Sequence, residues 1–132
     1  MDEAHLRSLE LFEGLLKRDR GRMAELADVV DVPAGKDLVR EDEFAYEFFV
    51  IEEAFAEVSR RDGGHVADLG PGDCFGEMAV LDDLRRNASV VSRTPVTAIV
   101  MTSQDFRAMS REMPPVAERI RAIVAERTRA LV

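Results

Sequence analysis

The sequence predicts a mainly β fold, a sandwich or roll of short strands held between two helical ends. Three observations predict it. Residues 29–102 carry short apolar and β-branched runs separated by turn signals of Gly, Pro and Asp. Residues 2–28 and 103–132 instead space their apolar side chains as helices do. The strands are short and closely spaced, which suits a sandwich or roll rather than βαβ units.

The N-terminal helical zone rests on Leu6, Leu9, Phe12, Leu15 and Leu16, then Met23, Leu26 and Ala27. Gly14 and Gly21 divide it into two or three short helices, with Asp19 as an N-cap for the second. Strands follow at 29–32, ended by Pro33-Ala34-Gly35, and at 38–39, ended by the acidic run 41–43, a solvated turn. Phe48-Phe49-Val50-Ile51 is apolar at every position, as in a strand covered on both faces. Residues 54–58 and 65–69 form a hairpin about Asp62-Gly63-Gly64. In Gly70-Pro71-Gly72-Asp73, Pro at the second and Gly at the third position specify a type II turn. The last strands, 88–91 and 96–101, join at Arg93-Thr94-Pro95. Ser103 caps a helix over 104–111, Pro114-Pro115 interrupts the chain, and 116–132 forms one helix about 25 Å long. Its apolar positions are Val116, Ile120, Ile123, Val124 and Leu131.

The bulk numbers set the class. A chain of 132 residues, 46% hydrophobic and 33% charged, fits one globular domain spanning 1–132. Within it, 1–28 are N-terminal helices, 29–102 the β-roll and 103–132 C-terminal helices. The formal charge of −8 disfavours nucleic acid and anionic membrane as partners. An anionic ligand would need a local cluster of positive charge. No apolar run is long enough for a membrane span, and the opening residues lack the basic start and apolar stretch of a signal peptide. Cys74 has no intrachain disulfide partner and is expected to be a small buried side chain. A cytoplasmic setting is expected.

One segment carries chemistry: Phe75-Gly76-Glu77-Met78-Ala79-Val80-Leu81, a loop through Asp82-Asp83-Leu84-Arg85, then Arg86-Asn87-Ala88-Ser89-Val90. It reads as a strand end, a glycine that permits a bend or close approach, a short helix, a loop and a returning strand. Glu77 opens the helix, where its charge suits the dipole. Met78, Val80 and Leu81 can anchor that helix. The first N–H groups of a helix have no intrahelical partner and can bind an anion. Arg86 stands at the mouth of the next strand, and a guanidinium can hold two phosphate oxygens at once. Arg85 is expected to face solvent or pair with Asp82 or Asp83. A carboxylate and an arginine separated in this way match a small ring bearing one phosphate and a free hydroxyl.

This stretch, 75–90, resembles the phosphate-binding cassette of the cyclic-nucleotide-binding domain family, which includes catabolite activator proteins and cAMP-dependent protein kinase regulatory subunits. Glu47-Phe48-Phe49-Val50-Ile51 resembles the family's central strand, and Leu69-Gly70-Pro71-Gly72-Asp73 the turn before the cassette. The N-terminal leucines and Phe106 also fit. The resemblance implies a double-stranded β-helix, or jelly roll, closed by a C-terminal lid helix. It implies a ligand, cAMP or cGMP, and no cofactor or metal. In its terms Glu77 accepts from the ribose 2′-hydroxyl and Arg86 pairs with the phosphate. Phe75, Gly76, Met78 and Ala79 line the cassette, and the N–H groups of Asn87 and Ala88, with the Ser89 hydroxyl, complete the phosphate site. Ile120, Ile123 and Val124 are its lid contacts. Asn87 leaves cAMP against cGMP open, and cAMP is favoured only because it is commoner in the family.

Two positions depart from the pattern. Asp42 and Ala54 stand where the family usually has glycine at turns, so retained turn geometry would force a left-handed backbone on both. The leading expectation is a non-catalytic sensor that signals through its C-terminal helix to an effector or to a second copy. A degenerate domain used only for association is the alternative, as is the sensor half of a larger regulator. A metal-dependent enzyme on a similar roll is disfavoured, because His5 and His65 are the only histidines and lie in different elements. A helix-turn-helix regulator would need chain beyond residue 132.

Overall fold

The computed structural model describes residues 1–44, 46–77 and 85–131, with side chains through residue 126. Eight strands are described: β1 Asp28–Val32, β2 Asp37–Val39, β3 Glu47–Glu53, β4 Ala56–Arg60, β5 Gly64–Leu69, β6 Cys74–Phe75, β7 Ser89–Ser92 and β8 Val96–Thr102. They form two antiparallel sheets of four, ordered β1-β8-β3-β6 and β2-β7-β4-β5. Helix α1 spans Lys17–Leu26, α2 Ser103–Glu112 and α3 Pro114–Leu131. Two short 3-10 turns, Glu3–Leu6 and Glu10–Phe12, precede α1.

The alternation of β3 explains its unbroken apolar run. Phe48 and Val50 point to a core shared with the helices, together with Cys74, Ile99, Met101, Phe106 and Met109. Phe49 and Ile51 point the other way, into the roll, with Phe75, Leu69, Val90, Ala98 and Val100. Successive side chains of a strand face opposite sides, so a strand buried between two layers must be apolar throughout. An aromatic contact marks each face: Phe48 meets Phe106 at 4.6 Å between ring centroids, and Phe49 stacks on Phe75 at 4.9 Å. The second contact follows from register, since Phe49 and Phe75 are directly paired across β3 and β6.

The turn after β5 forms as its sequence specifies. Gly72 takes φ 89°, the Asp73 N–H donates to the Gly70 carbonyl at 3.0 Å, and the Asp73 carboxylate accepts from the Gly70 N–H. The hairpin between β4 and β5 also forms, with Gly64 left-handed at its end. Asp42 and Ala54 both adopt left-handed φ, 70° and 73°. The turns keep the glycine geometry; Ala54 carries a strain of about 1 kcal/mol, and Asp42 less, because a short polar side chain tolerates this region better.

Several local expectations are corrected. Gly21 lies inside α1 and does not divide it, because packing of Met23 and Leu26 into the core outweighs its poor helix propensity. Asp19 sits in the first turn of α1, and the residue at the cap is Leu16. Thr102, not Ser103, caps α2, its hydroxyl accepting from the Asp105 N–H at 3.1 Å. The last helix starts at Pro114, two residues earlier than expected, because proline at a first helical position forfeits no hydrogen bond. Arg119 on α3 donates to the carbonyls of Leu11 and Glu13, tying the N-terminal segment to the last helix. His5 Nδ1 bonds both carboxylate oxygens of Glu52 at 2.8 Å, tying that segment to β3. Among the described residues no helix is long and apolar enough to cross a membrane.

Candidate functional site

β6 runs out at Phe75, and the chain turns at Gly76 with φ 97°. A Cβ at Gly76 would stand 2.5 Å from Arg86 Nη1 and 2.9 Å from the Glu47 carbonyl oxygen. Glycine is therefore required twice, for the backbone conformation and for the space the guanidinium occupies.

Arg86 is held from both sides. Its N–H donates to the Glu43 carbonyl and its carbonyl accepts from the Asp42 N–H, each at 2.8 Å, so the turn after β2 grips its main chain. Its side chain runs inward and is 7% exposed. Nη2 donates to the Glu47 carbonyl at 2.5 Å. Nη1 is buried and has no hydrogen-bond partner among the described residues. Burial pushes the Arg86 pKa below the usual guanidinium range, opposed by the nearby charge of Glu47. A buried charged donor without an acceptor costs about 1–3 kcal/mol, so an acceptor brought to Nη1 would be strongly favoured.

Glu77, 7% exposed, follows Gly76 directly in the chain, so a buried acidic residue adjoins the glycine against which the buried guanidinium packs. With Ser92 they are the buried polar residues among those described. Ser92 serves the fold: its hydroxyl bridges the Pro33 carbonyl and the Lys36 N–H.

The other expected site residues divide. Phe75 and Ala88 are buried, Ala88 sharing the inward side of its segment with Arg86 and Val90. Asn87 is exposed on the opposite side. Ser89 also lies on that side, where its hydroxyl accepts the Glu41 N–H at 2.9 Å and braces the turn. Met78 and Ala79 lie outside the described residues, as do Val80, Leu81, Asp82, Asp83 and Leu84. Arg85 is exposed, donates to the Asp42 carbonyl at 3.0 Å and lies 4.4 Å over the Phe44 ring. Ile120 is fully buried in the helical core, on the far side of β3 from the roll interior, and Ile123 and Val124 pack against that core. In this arrangement Ile120 is a core residue. Ile123 also lines a cleft of about 710 Å³ with Leu69, Pro71, Leu9 and Leu11, and neither Glu77 nor Arg86 borders it.

The sequence holds no signal for one participant. The Glu47 carbonyl that orients Arg86 is a main-chain group, and residue type does not reveal which carbonyl faces a cation. The hairpin register also gathers Glu57, His65 and Asp68, whose ligand atoms lie within 4.8 Å of one another. All three are already engaged: Arg93 grips Glu57, and His65 bonds Asp68, which raises the imidazole pKa.

The sequence profile of the Cyclic nucleotide-binding domain matches residues 29–112, well over half the chain. The chain belongs to the cyclic nucleotide-binding domain family. The domain is 34% identical over 116 residues to a cAMP-dependent protein kinase regulatory subunit of Eremothecium gossypii, covering 88% of this chain and 25% of that one. It is 36% identical over 96 residues to a cyclic nucleotide-gated potassium channel of Rhizobium etli, covering 73% of this chain and 26% of the channel. The domain spans about a quarter of the length of these curated relatives. Among solved structures, the Thermus thermophilus Catabolite Activator Protein superposes with a TM-score of 0.77 at 27% identity, over 91% of this chain and 58% of the other. The regulatory subunit of a cAMP-independent protein kinase A from Trypanosoma brucei superposes with 0.78 at 22% identity, over 90% of this chain and 43% of that one, a likeness of fold. The expected fold, a β-roll of two antiparallel sheets with flanking helices, is the one found.

Proposed function

We propose that the domain is a regulatory sensor that binds a cyclic nucleotide, with cAMP favoured, and catalyses no reaction. The observation that carries this reading is the buried Arg86 Nη1, which has no acceptor among the described residues. A cyclic phosphate supplies one negative charge and two exocyclic oxygens, which suit such a guanidinium. Glu77 would accept from the ribose 2′-hydroxyl, and the main-chain N–H groups of Asn87 and Ala88 would add donors to the phosphate. The Ser89 hydroxyl, engaged by Glu41, would act through the shape of the site. The proposed contact of α3 with the purine would fall to Ile123 or Val124, which are only partly buried against the helical core, rather than to Ile120, which is fully buried in it.

The left-handed backbone at Asp42 and Ala54 counts against an association-only domain, since the turns have kept their shape at an energetic cost. The preference for cAMP follows the names of the relatives, among them a Toxoplasma gondii PKA regulatory domain solved with cAMP. A cytoplasmic setting, and an effector or a second copy reached through α3, belong to the same reading.

Calorimetric titration with cAMP and with cGMP tests it. Saturable one-to-one binding of at least one of them is expected, with the tighter binding for cAMP. No heat and no thermal shift with either at millimolar concentration would favour the association-only domain.

A further inference from the structure

The turn that grips the main chain of Arg86 is itself clasped from the opposite side. Arg61, at the tip of the β4–β5 hairpin, donates from Nη1 to the Asp42 carboxylate at 2.9 Å and from Nη2 to the Glu41 carbonyl at 3.3 Å. Its N–H donates to the Glu41 carboxylate at 3.2 Å. The clasped residues then make the bonds that define the site's rear wall. The Glu41 N–H donates to Ser89, the Asp42 N–H to the Arg86 carbonyl, and Arg85 to the Asp42 carbonyl. Three segments distant in sequence thus form one network behind the guanidinium.

Asp42 adds the ion pair to a clasp in which Glu41 supplies the other two acceptors. The Asp42 φ of 70° is a conformation in which glycine would be relaxed, so an aspartate there costs local strain. Glycine would have no side chain to offer Arg61. Resting on the proposed reading of Arg86 as the phosphate ligand, we infer that Arg61 and Asp42 are positioning residues for nucleotide binding. Their ion pair holds the 41–43 turn against Arg86, so that the guanidinium stays aimed at the phosphate. The pair touches no ligand itself. It makes the affinity of a buried site depend on an exposed arginine at a hairpin tip.

The closing experiment is a double-mutant cycle in cAMP affinity and in ligand-free stability. The variants are Asp42→Gly, Arg61→Ala and the double variant, with Arg61→Lys as the conservative one. An exposed ion pair contributes up to about 1 kcal/mol, so each single variant should bind about 2- to 5-fold more weakly. The double variant should be no weaker than Arg61→Ala alone, which already removes the ion pair together with the guanidinium bond to the Glu41 carbonyl. Arg61→Lys should recover part of the loss. Asp42→Gly relieves the strained backbone, so its ligand-free thermal midpoint should be unchanged or higher while its affinity falls. A purely structural residue would not show that split. Affinities of both single variants within experimental error of the unsubstituted domain, or additive losses, would overturn the inference and leave the reading of Arg86 intact. A domain that binds no cyclic nucleotide before any substitution would remove both.

Discussion

Replacing Arg86 by methionine separates the two costs that this side chain carries. Methionine keeps much of the volume and the unbranched stem and removes the charge. In the ligand-free domain the change deletes a charged hydrogen bond to the Glu47 carbonyl, worth about 1.5–3 kcal/mol. It also removes a buried charged donor that lacks an acceptor, Nη1, whose burial costs about 1–3 kcal/mol. The two nearly cancel, so the ligand-free midpoint should move by no more than a few degrees. Binding should behave differently. Loss of one charged hydrogen-bond partner for the phosphate weakens affinity by about 10- to 150-fold. At a ligand concentration of about one hundred times Kd, the unsubstituted domain is stabilised by about 2.7 kcal/mol. If Kd rises about a hundredfold, the same concentration stabilises the variant by only about 0.4 kcal/mol. For a domain of this size that is a contrast of roughly 10 °C against 1–2 °C in differential scanning fluorimetry. A variant that keeps the full cAMP-induced shift would show that Arg86 does not hold the phosphate. A variant that loses its fold without ligand would show that the arginine is a structural ion, contrary to the cancellation argued above.

Three further predictions concern other parts of the molecule. Glu77→Gln should weaken cAMP by more than it weakens 2′-deoxy-cAMP in the same titration, and equal losses would remove the ribose role. Ala54→Gly should raise the thermal midpoint, by roughly 0.5–1 kcal/mol of stability, because it relieves a left-handed alanine, and a fall would show that the methyl contact in the roll matters more. The Arg22 guanidinium bonds both carboxylate oxygens of Glu112 and holds that carboxyl below its ordinary pKa. This tie between α1 and α2 is complete above the ordinary carboxylate range, near about pH 4.3, and is lost as pH falls through the depressed value. Arg22→Ala should return the Glu112 carboxyl to the ordinary range in an NMR titration, and an unmoved titration would refute the pairing.

The order of strands and helices was legible because each signal is local. Pro71 and Gly72 meet the φ requirements of one turn, and the run Phe48 to Ile51 admits few solutions other than a strand covered on both faces. The candidate ligand residues were legible for the same reason: Gly76, Glu77 and Arg86 lie in one short segment. The misses were of two kinds. Thr102 took the cap in place of its neighbour Ser103, a local choice between two hydroxyls of similar capping ability, whereas α1 continues through Gly21 because Met23 and Leu26 pack against residues far away in sequence. Ile120 has the spacing of a lid residue and of a core residue alike, and only the packing of α3 against the N-terminal segment separates the two.

By itself, the sequence determined the fold class, the family and the short segment that holds the two charges of the proposed site, since these depend on residue type and spacing along the chain. Only the tertiary structure decided that Arg86 is buried with one nitrogen unpartnered among the described residues, that Gly76 leaves room for it, and that Arg61 reaches Asp42. The reason is physical. Burial and hydrogen bonding are properties of neighbours in space, and these neighbours are distant in sequence: Gly76 and Arg86 meet where the two sheets close, and Arg61 meets Asp42 where β2 and β4 assemble into one sheet.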